Sequence, residues 1–173
     1  MRFLSSAVFL LFFSVALAQS PAKPAAASAS QKTFDLLKTL AGNWQGPVTT
    51  DNPAFRVDKP LSLRMHVASR GNALVQELDT GTPEITVFYV DNDRLTLVHY
   101  CDFNNRPLLA ANPSQDGKTV DFDFVSYSGG NEMGHVTHWG FTIVDTDHHS
   151  EDWTFLLPDG KPIHAHIDLK RVP

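Results

Sequence analysis

The chain has 173 residues, with 14 lysine or arginine residues against 19 aspartate or glutamate residues, and its formal net charge is −5. Nucleic acids and anionic membrane surfaces attract basic patches, and this acidic sequence has none, which argues against both as partners. The single cysteine, Cys101, excludes an internal disulfide, so stability must come from a packed core.

The first eighteen residues have the pattern of a signal peptide. Arg2 precedes an apolar run over residues 3–17, and residues 16–18 (Ala-Leu-Ala) form a small-x-small cleavage site. The run is shorter than the about 20 apolar residues that span a bilayer, which favours cleavage over an uncleaved anchor. We therefore expect a secreted or periplasmic protein, cleaved after residue 18, with no membrane association once the signal is removed.

Removal of eighteen of the 173 residues leaves 155, enough for the core of one domain and too few for two. Residues 19–32 are mostly Ala, Ser and Pro, a composition that cannot bury a core and is typical of a disordered linker. We expect one domain over residues 33–173.

A short helix is predicted at the start of this domain. Thr33 can act as its N-cap, Phe34, Leu37 and Leu40 share one face, and Gly42 is expected to end it. No later segment has a helical pattern.

After this helix, the chain consists of apolar runs rich in Val, Phe, Thr, Ile and Tyr, separated by turn residues. Residues 61–67 alternate apolar and polar side chains with a period of two and form the clearest strand. The predicted strands cover residues 43–49, 61–67, 73–79, 84–90, 94–101, 107–111, 119–126, 135–144, 150–157 and 163–172.

The connections between these runs are short and carry tight-turn residues such as Asp-Gly and Asn-Asp, whereas parallel strands need crossovers of about a dozen residues or more. The strands must therefore follow one another in an antiparallel meander. A closed barrel removes the two edges that an open meander exposes, and a two-sheet sandwich is the alternative. We predict an all-β fold, an up-and-down antiparallel β-barrel of about 8–10 strands with a short N-terminal helix.

The segment Leu40-Ala41-Gly42-Asn43-Trp44-Gln45-Gly46 resembles the opening of the calycins, the lipocalin, fatty-acid-binding and nitrobindin-like barrels, which begin with a short helix and a Gly-x-Trp motif on the first strand. The resemblance implies a basic residue of the last strand packed over the Trp ring. Arg171 shares the inward parity of residues 163, 165, 167 and 169, so it is expected to contact Trp44 and join the first strand to the last.

Two features depart from these families: lipocalin disulfides are absent, and the Gly- and Pro-bearing motif that follows the first nitrobindin strand is not evident. The chain is also similar to uncharacterised secreted bacterial proteins that carry a His-Tyr-Cys segment followed by Asn-x-Pro, here residues 99–101 and 105–107. That similarity implies no activity.

The calycin resemblance implies a cavity that holds a small, largely apolar ligand. Strand parity supplies candidates for its wall, because inward residues recur at every second position. The predicted aromatic wall consists of Phe122, Phe124, Trp139, Phe141, Trp153 and Phe155, and the predicted polar contacts are His99, Cys101 and His135. Two alternatives stay open: the opposite parity for the strand at 94–101, and a barrel filled by its own aromatic side chains.

A metal site is not expected from the sequence. His164 and His166 share one strand face and could present two imidazoles to one ion, but parity turns them outward and no third ligand is evident. His148 and His149 are expected at a turn, in solvent. A heme protein of the nitrobindin type is one alternative function, with His164 or His166 in the region of the iron ligand.

An enzyme on the same barrel is the other alternative. The sequence has none of the nucleophile-elbow, zinc-protease or phosphate-loop motifs. His99 and Cys101 lie two apart on a strand and project in parallel, which argues against a catalytic dyad. The leading interpretation is a binding protein for a small, largely apolar molecule.

The export signal predicts a specific mature N-terminus. Expressed in a bacterial host that exports it, the protein should begin at Gln19 and read Gln-Ser-Pro-Ala, because the peptidase cuts after the small residue Ala18. N-terminal sequencing and intact-mass measurement check this result. A product that still carries residues 1–18 would contradict it.

Overall fold

A computed structural model describes residues 26–56, 58–79, 81–112 and 116–173. The predicted signal peptide and the first part of the predicted linker lie outside these residues. The helix α1 covers Ala29–Lys38, and the strands are β1 Gly42–Gly46, β2 Val48–Thr50, β3 Leu61–Ala68, β4 Ala73–Asp79, β5 Pro83–Asp91, β6 Arg94–Tyr100, β7 Asn105–Asn112, β8 Thr119–Gly129, β9 His135–Ile143, β10 His148–Leu156 and β11 Pro162–Val172.

The short helix begins and ends earlier than predicted. Its N-cap is Ser28, whose side chain accepts a hydrogen bond from the Gln31 backbone N–H at 3.1 Å, so the free amide groups are satisfied before Thr33 is reached. Thr33 lies inside the helix and donates its hydroxyl to the Ala29 carbonyl. Leu40 follows the helix in a turn and is buried, as its pattern predicted.

The predicted alternation of strands and hairpins is confirmed. Each strand from β3 to β10 pairs antiparallel with the next one along the chain, and β1 pairs with both β3 and β11. Trp44 of β1 stands opposite Leu63 of β3 on one side and opposite Arg171 of β11 on the other. The sheet therefore closes on itself, and the sandwich alternative is wrong.

The first predicted strand is divided at Pro47 into β1 and β2, and both parts pair with β11, so the barrel has ten strands around its circumference. Pro47 has no N–H to donate, but its carbonyl accepts a hydrogen bond from the Asp168 N–H at 3.3 Å. Gly46 permits the close approach at this seam, because a Cβ at this position would lie 1.7 Å from the Asp168 carbonyl oxygen.

One end of the barrel, here called the floor, is closed by α1. The helix packs against β5 and β6, and the Ser30 hydroxyl donates to the carbonyl of Asp93 in the β5–β6 turn at 2.7 Å. Phe34, Leu37 and Leu40 are buried in the main hydrophobic core. The apolar face of the helix thus covers the interior at the end where the β5–β6 turn lies.

Trp44 and Arg171 fasten the floor to the barrel wall. The Arg171 guanidinium lies 4.2 Å from the centre of the Trp44 ring, the cation–π contact that the resemblance implied. Arg171 Nη1 donates to the Ala41 carbonyl at 2.8 Å, and Nη2 donates to the Thr146 carbonyl at 2.8 Å. Trp44 Nε1 donates to the Leu40 carbonyl at 2.7 Å. One arginine therefore joins the end of α1, the first strand and the β9–β10 turn.

The middle of the barrel is solid. Phe88, Phe122 and Phe141 meet edge to face with ring centres 5.6 to 6.2 Å apart, and all three are buried.

Within the described residues, neither α1 nor the two short 3₁₀ helices at 53–55 and 69–71 is long and apolar enough to cross a bilayer.

Arg171→Ala should destabilise the domain by roughly 1–3 kcal/mol, because it removes the packing over Trp44 as well as the hydrogen bonds to the carbonyls of Thr39, Ala41 and Thr146. Urea unfolding followed by circular dichroism measures the free energy. Arg64→Ala, on the exposed face of β3, is the matched control and should change it by less than about 0.5 kcal/mol. Equal unfolding midpoints for the two variants would remove Arg171 from this role.

Candidate functional site

A cavity of about 280 Å³ occupies the half of the barrel that faces away from α1. Its position follows from β5 and β6, which begin and end there, while the turn between them lies at the floor. Apolar and aromatic side chains form most of its wall: Val48, Phe55, Leu61, Phe103, Val136, Trp139, Trp153, Phe155, Ile163 and Ala165. Thr50, Glu84, His99, Cys101 and Asp102 supply the polar part of the lining.

Three of these polar side chains converge and are called here the Glu84–His99–Cys101 cluster. His99 Nε2 lies 3.5 Å from Glu84 Oε2, and Cys101 Sγ lies 3.9 Å from Glu84 Oε1. Glu84 Oε1 also accepts a hydrogen bond from the Asp102 backbone N–H at 3.2 Å. On the other side of the imidazole, His99 Nδ1 is 2.9 Å from the Thr86 hydroxyl.

The β5–β6 hairpin brings these residues together. Its two central turn residues, Asn92 and Asp93, both have positive φ, which is typical of the tight turns that fix hairpin register. Thr86 then pairs with His99, and the same register carries Glu84 to the position opposite Cys101. Because alternate residues share a face, Glu84 and Thr86 point inward together with His99.

Burial controls the protonation of the cluster. It raises the pKa of Glu84 to about 7, an effect partly offset by the Asp102 N–H. It lowers the pKa of His99 to about 4 and raises the pKa of Cys101 to about 12. At neutral pH the imidazole is therefore neutral and the thiol keeps its proton, so the His99–Glu84 contact is not an ion pair.

A second buried carboxylate, Glu151, lies below the cavity and is completely shielded from solvent. Its Oε2 accepts hydrogen bonds from the indole N–H groups of Trp139 at 2.9 Å and Trp153 at 3.0 Å. Its Oε1 accepts from Gln76 Nε2 at 2.7 Å and lies 3.3 Å from His149 Nε2. This network fixes the two tryptophan rings that line the cavity.

His149 is not at a solvated turn, and that prediction was wrong. His148 and His149 open β10, where neighbouring side chains face opposite ways. His149 is fully buried with its ring centre 4.2 Å from that of Trp44, while His148 faces outward and contacts Asp168. Turn residues before position 148 suggested a loop, but β10 extends two residues further back than expected.

Among the predicted ligand-contacting residues, the cavity brings together His99, Cys101, Trp139, Trp153 and Phe155. Phe122 and Phe141 do not line it, because they pack against Phe88 in the solid middle of the barrel.

His135 and Phe124 also lie outside the cavity, and irregular strand pairing explains both cases. In β9, Thr154 pairs with His138 while Phe155 pairs with Val136, so residue 137 is an extra residue and the inward face changes. Val136 therefore lines the cavity in place of His135.

Phe124 is 38% exposed because β8 pairs with β9 only as far as Asp123 and then continues with β7 alone. An extra residue at Val125 shifts the register there as well. The Phe124 ring lies 4.9 Å from that of His135, and His135 Nδ1 is 2.7 Å from Asn131 Oδ1. The two predicted contacts thus pack on each other outside the barrel interior.

His164 and His166 lie on the outer face of β11, as their parity predicted, and both are exposed. His166 Nδ1 contacts Asp152 Oδ1 at 2.7 Å, and His164 Nδ1 is 3.1 Å from the Thr154 hydroxyl. Of the residues that the structure describes, only Glu84, His99 and Cys101 bring three metal-binding side chains together, with one ligand atom of each within 4.8 Å of the other two.

Sequence reasoning missed both buried carboxylates, although each had a signal. Glu151 has the same parity as Trp153 and Phe155, which were assigned to the interior. Glu84 follows from the two-residue turn at 92–93, since counting back from that turn sets it opposite Cys101. Phe55 and Phe103 come from loops, where no periodicity indicates a direction.

No protein-family model matches the chain, and no curated protein matches it in sequence. Among solved structures, the chain is similar to Rv2717c from M. tuberculosis, with a TM-score of 0.58 and 17% identity over 82% of this chain and 98% of that one. At this identity the similarity shows the fold alone.

A protein of unknown function from the DUF3598 family of Nostoc punctiforme PCC 73102 also matches, with a TM-score of 0.44 and 13% identity over 79% of this chain. The match covers 48% of that protein and carries no weight for the site.

Glu151→Leu should lower the free energy of unfolding by at least about 2 kcal/mol, because two indole N–H groups and the Gln76 amide lose their buried acceptor. Urea unfolding followed by tryptophan fluorescence measures it and also reports on the released rings. Glu77→Leu, on the exposed face of β4, is the control. A Glu151→Leu protein as stable as this control would show that the network contributes nothing to stability.

Proposed function

We propose that this protein is a calycin-type binding protein that captures a small, largely apolar molecule with one polar group, outside the cytoplasm. The observation that carries the proposal is the cavity of about 280 Å³, with its apolar and aromatic wall and one polar cluster. Pockets of this kind bind small molecules by apolar contact and orient them with a few polar groups.

The affinity would come mainly from the wall. Trp139, Trp153 and Phe155 present ring surfaces to the cavity, and burial of apolar area stabilises a complex by about 25 cal/mol per Å² before the costs of association. The Glu151 network holds both indoles in place before a ligand arrives, so little side-chain freedom is lost on binding.

The orientation of the ligand would come from the Glu84–His99–Cys101 cluster. A neutral imidazole and a carboxyl group can exchange hydrogen bonds with a hydroxyl or a carbonyl group of the ligand. A ligand without any polar group would leave the buried Glu84 poorly satisfied, which disfavours a pure hydrocarbon. The fitting class is therefore a small aromatic or aliphatic alcohol, phenol or ketone.

Three features support assignment to the calycins: the helix before the first strand, the Gly-x-Trp motif at residues 42–44, and the contact between Trp44 and Arg171. The heme alternative gains no support from His164 and His166, because both point away from the cavity. Export rests on the signal-peptide pattern of the first eighteen residues.

1-Naphthol is a suitable probe, since it combines a flat apolar ring system with one hydroxyl group. We expect saturable binding to one site, with a change in tryptophan fluorescence because two indoles line the cavity. A naphthalene disulfonate is the matched control ligand and should not bind, since its two fixed charges would have to be buried. Isothermal titration calorimetry gives the stoichiometry.

The variant Ala165→Phe fills the cavity and should weaken 1-naphthol binding at least about tenfold, that is by 1.4 kcal/mol or more. Val67→Phe adds the same ring at an exposed position near the end of β3, outside the cavity lining, and should leave binding unchanged. Thermal unfolding confirms that both variants fold. Equal affinities for wild type and Ala165→Phe would place the probe elsewhere and contradict the proposal.

A further inference from the structure

We propose that the Glu84–His99–Cys101 cluster is a site for one zinc ion or a divalent ion of similar preference, with an open coordination position that faces the cavity. The inference goes beyond the capture of an apolar ligand and does not depend on it. It requires only the three side chains of the cluster and the space in front of them.

The geometry fits a tetrahedral ion. Zinc bonds of about 2.0–2.3 Å to oxygen, nitrogen and sulfur place the ligand atoms about 3.3–3.7 Å apart. In the cluster, His99 Nε2 lies 3.5 Å from Glu84 Oε2, and Cys101 Sγ lies 3.9 Å from the other carboxylate oxygen, Oε1. One ligand atom from each of the three residues lies within 4.8 Å of the other two. To bind an ion, the three side chains must draw together until one atom of each reaches bonding distance.

The donor set also fits. Imidazole, thiolate and carboxylate are the three ligand types that zinc uses in proteins, and a thiolate disfavours magnesium and calcium. His99 has the support that metal-binding histidines usually have, because Nδ1 contacts the Thr86 hydroxyl and Nε2 is turned to the cluster. The Asp102 N–H holds Glu84 Oε1 in the same way.

Charge balance favours the exchange of protons for a divalent ion. The cluster offers two groups that bind a metal as anions, the Glu84 carboxylate and the Cys101 thiolate, and one that binds it as a neutral ligand, the His99 imidazole. A divalent cation bound by one carboxylate and one thiolate keeps the buried site neutral and releases protons. No buried charge is then left without a partner.

Three protein ligands leave the fourth tetrahedral position open, the arrangement found in zinc sites that bind water or a substrate. Here that position would face the cavity, since all three side chains belong to its lining. The polar group of a captured molecule could then bind the ion directly.

The test uses the full chain, stripped of metal with a chelator and titrated with Co²⁺. We expect one equivalent to bind, with the visible bands of tetrahedral cobalt and a near-ultraviolet thiolate-to-cobalt charge-transfer band, and Zn²⁺ should displace it. Cys101→Ser should abolish the charge-transfer band. Glu84→Gln should keep that band but lower zinc affinity at least about tenfold.

The control is the double variant His164→Gln, His166→Gln, which removes the outward histidine pair and should bind cobalt unchanged. Thermal unfolding shows that each variant folds, and Cys101→Ala replaces Cys101→Ser if the latter does not. A spectrum without the thiolate band, or cobalt binding that is lost in the control variant, would overturn the proposal.

Binding of 1-naphthol to the metal-free protein is measured in parallel. Loss of the cobalt signal with naphthol binding retained rejects the metal site alone. Tight cobalt binding without naphthol binding rejects the capture of apolar molecules alone.

Discussion

The pairing of the first strand with the last is the constraint on which the rest of this structure depends. Without the β1–β11 ladder, the inward face of every strand would lie on an open, curved sheet, and no interior would exist. Arg171 secures this seam by its contact with Trp44, and Gly46 permits the close approach of the two backbones. The same arginine donates a hydrogen bond to the Ala41 carbonyl after α1, so one side chain connects the closed wall to the floor.

Glu84 and Glu151 show how position decides the role of a buried acidic side chain. Glu151 is surrounded by donors from three side chains and a histidine, which together satisfy both of its oxygens. Its environment is typical of a structural group that orients its neighbours. Glu84 accepts a hydrogen bond from one backbone N–H, that of Asp102, and its other polar neighbours are the His99 imidazole and the Cys101 thiol. It also borders the cavity. A buried carboxyl group with so few hydrogen-bond partners is suited to contact with a ligand rather than to a purely structural role.

The fold could be predicted because it follows from local signals that agree with one another. Alternation in segments such as 61–67 sets the faces, the tight turns set the antiparallel order, and the Gly-x-Trp motif with Arg171 sets the closure. The site was predicted less well, because one extra residue at 137 or at 125 reverses every inward position beyond it, and no sequence pattern marks such an insertion. The helix begins earlier than predicted because Ser28, within the segment assigned to the linker, caps it before Thr33 is reached. Glu84 could have been found by counting residues from the turn at 92–93.

Because α1 closes the floor, a ligand could reach the cavity only from the opposite end of the barrel. Among the described residues, two aromatic side chains from the connections between strands line the cavity, Phe55 and Phe103, and both pack on Phe155. Asp102, next to Phe103 in the chain, is exposed. The Glu84–His99–Cys101 cluster lies near the same opening. A ligand of the proposed kind would therefore enter with its apolar part first and keep its polar group near the opening. The barrel would therefore discriminate among ligands by the shape of the apolar part that enters the cavity. It would tolerate a substituent on the polar group that extends into solvent.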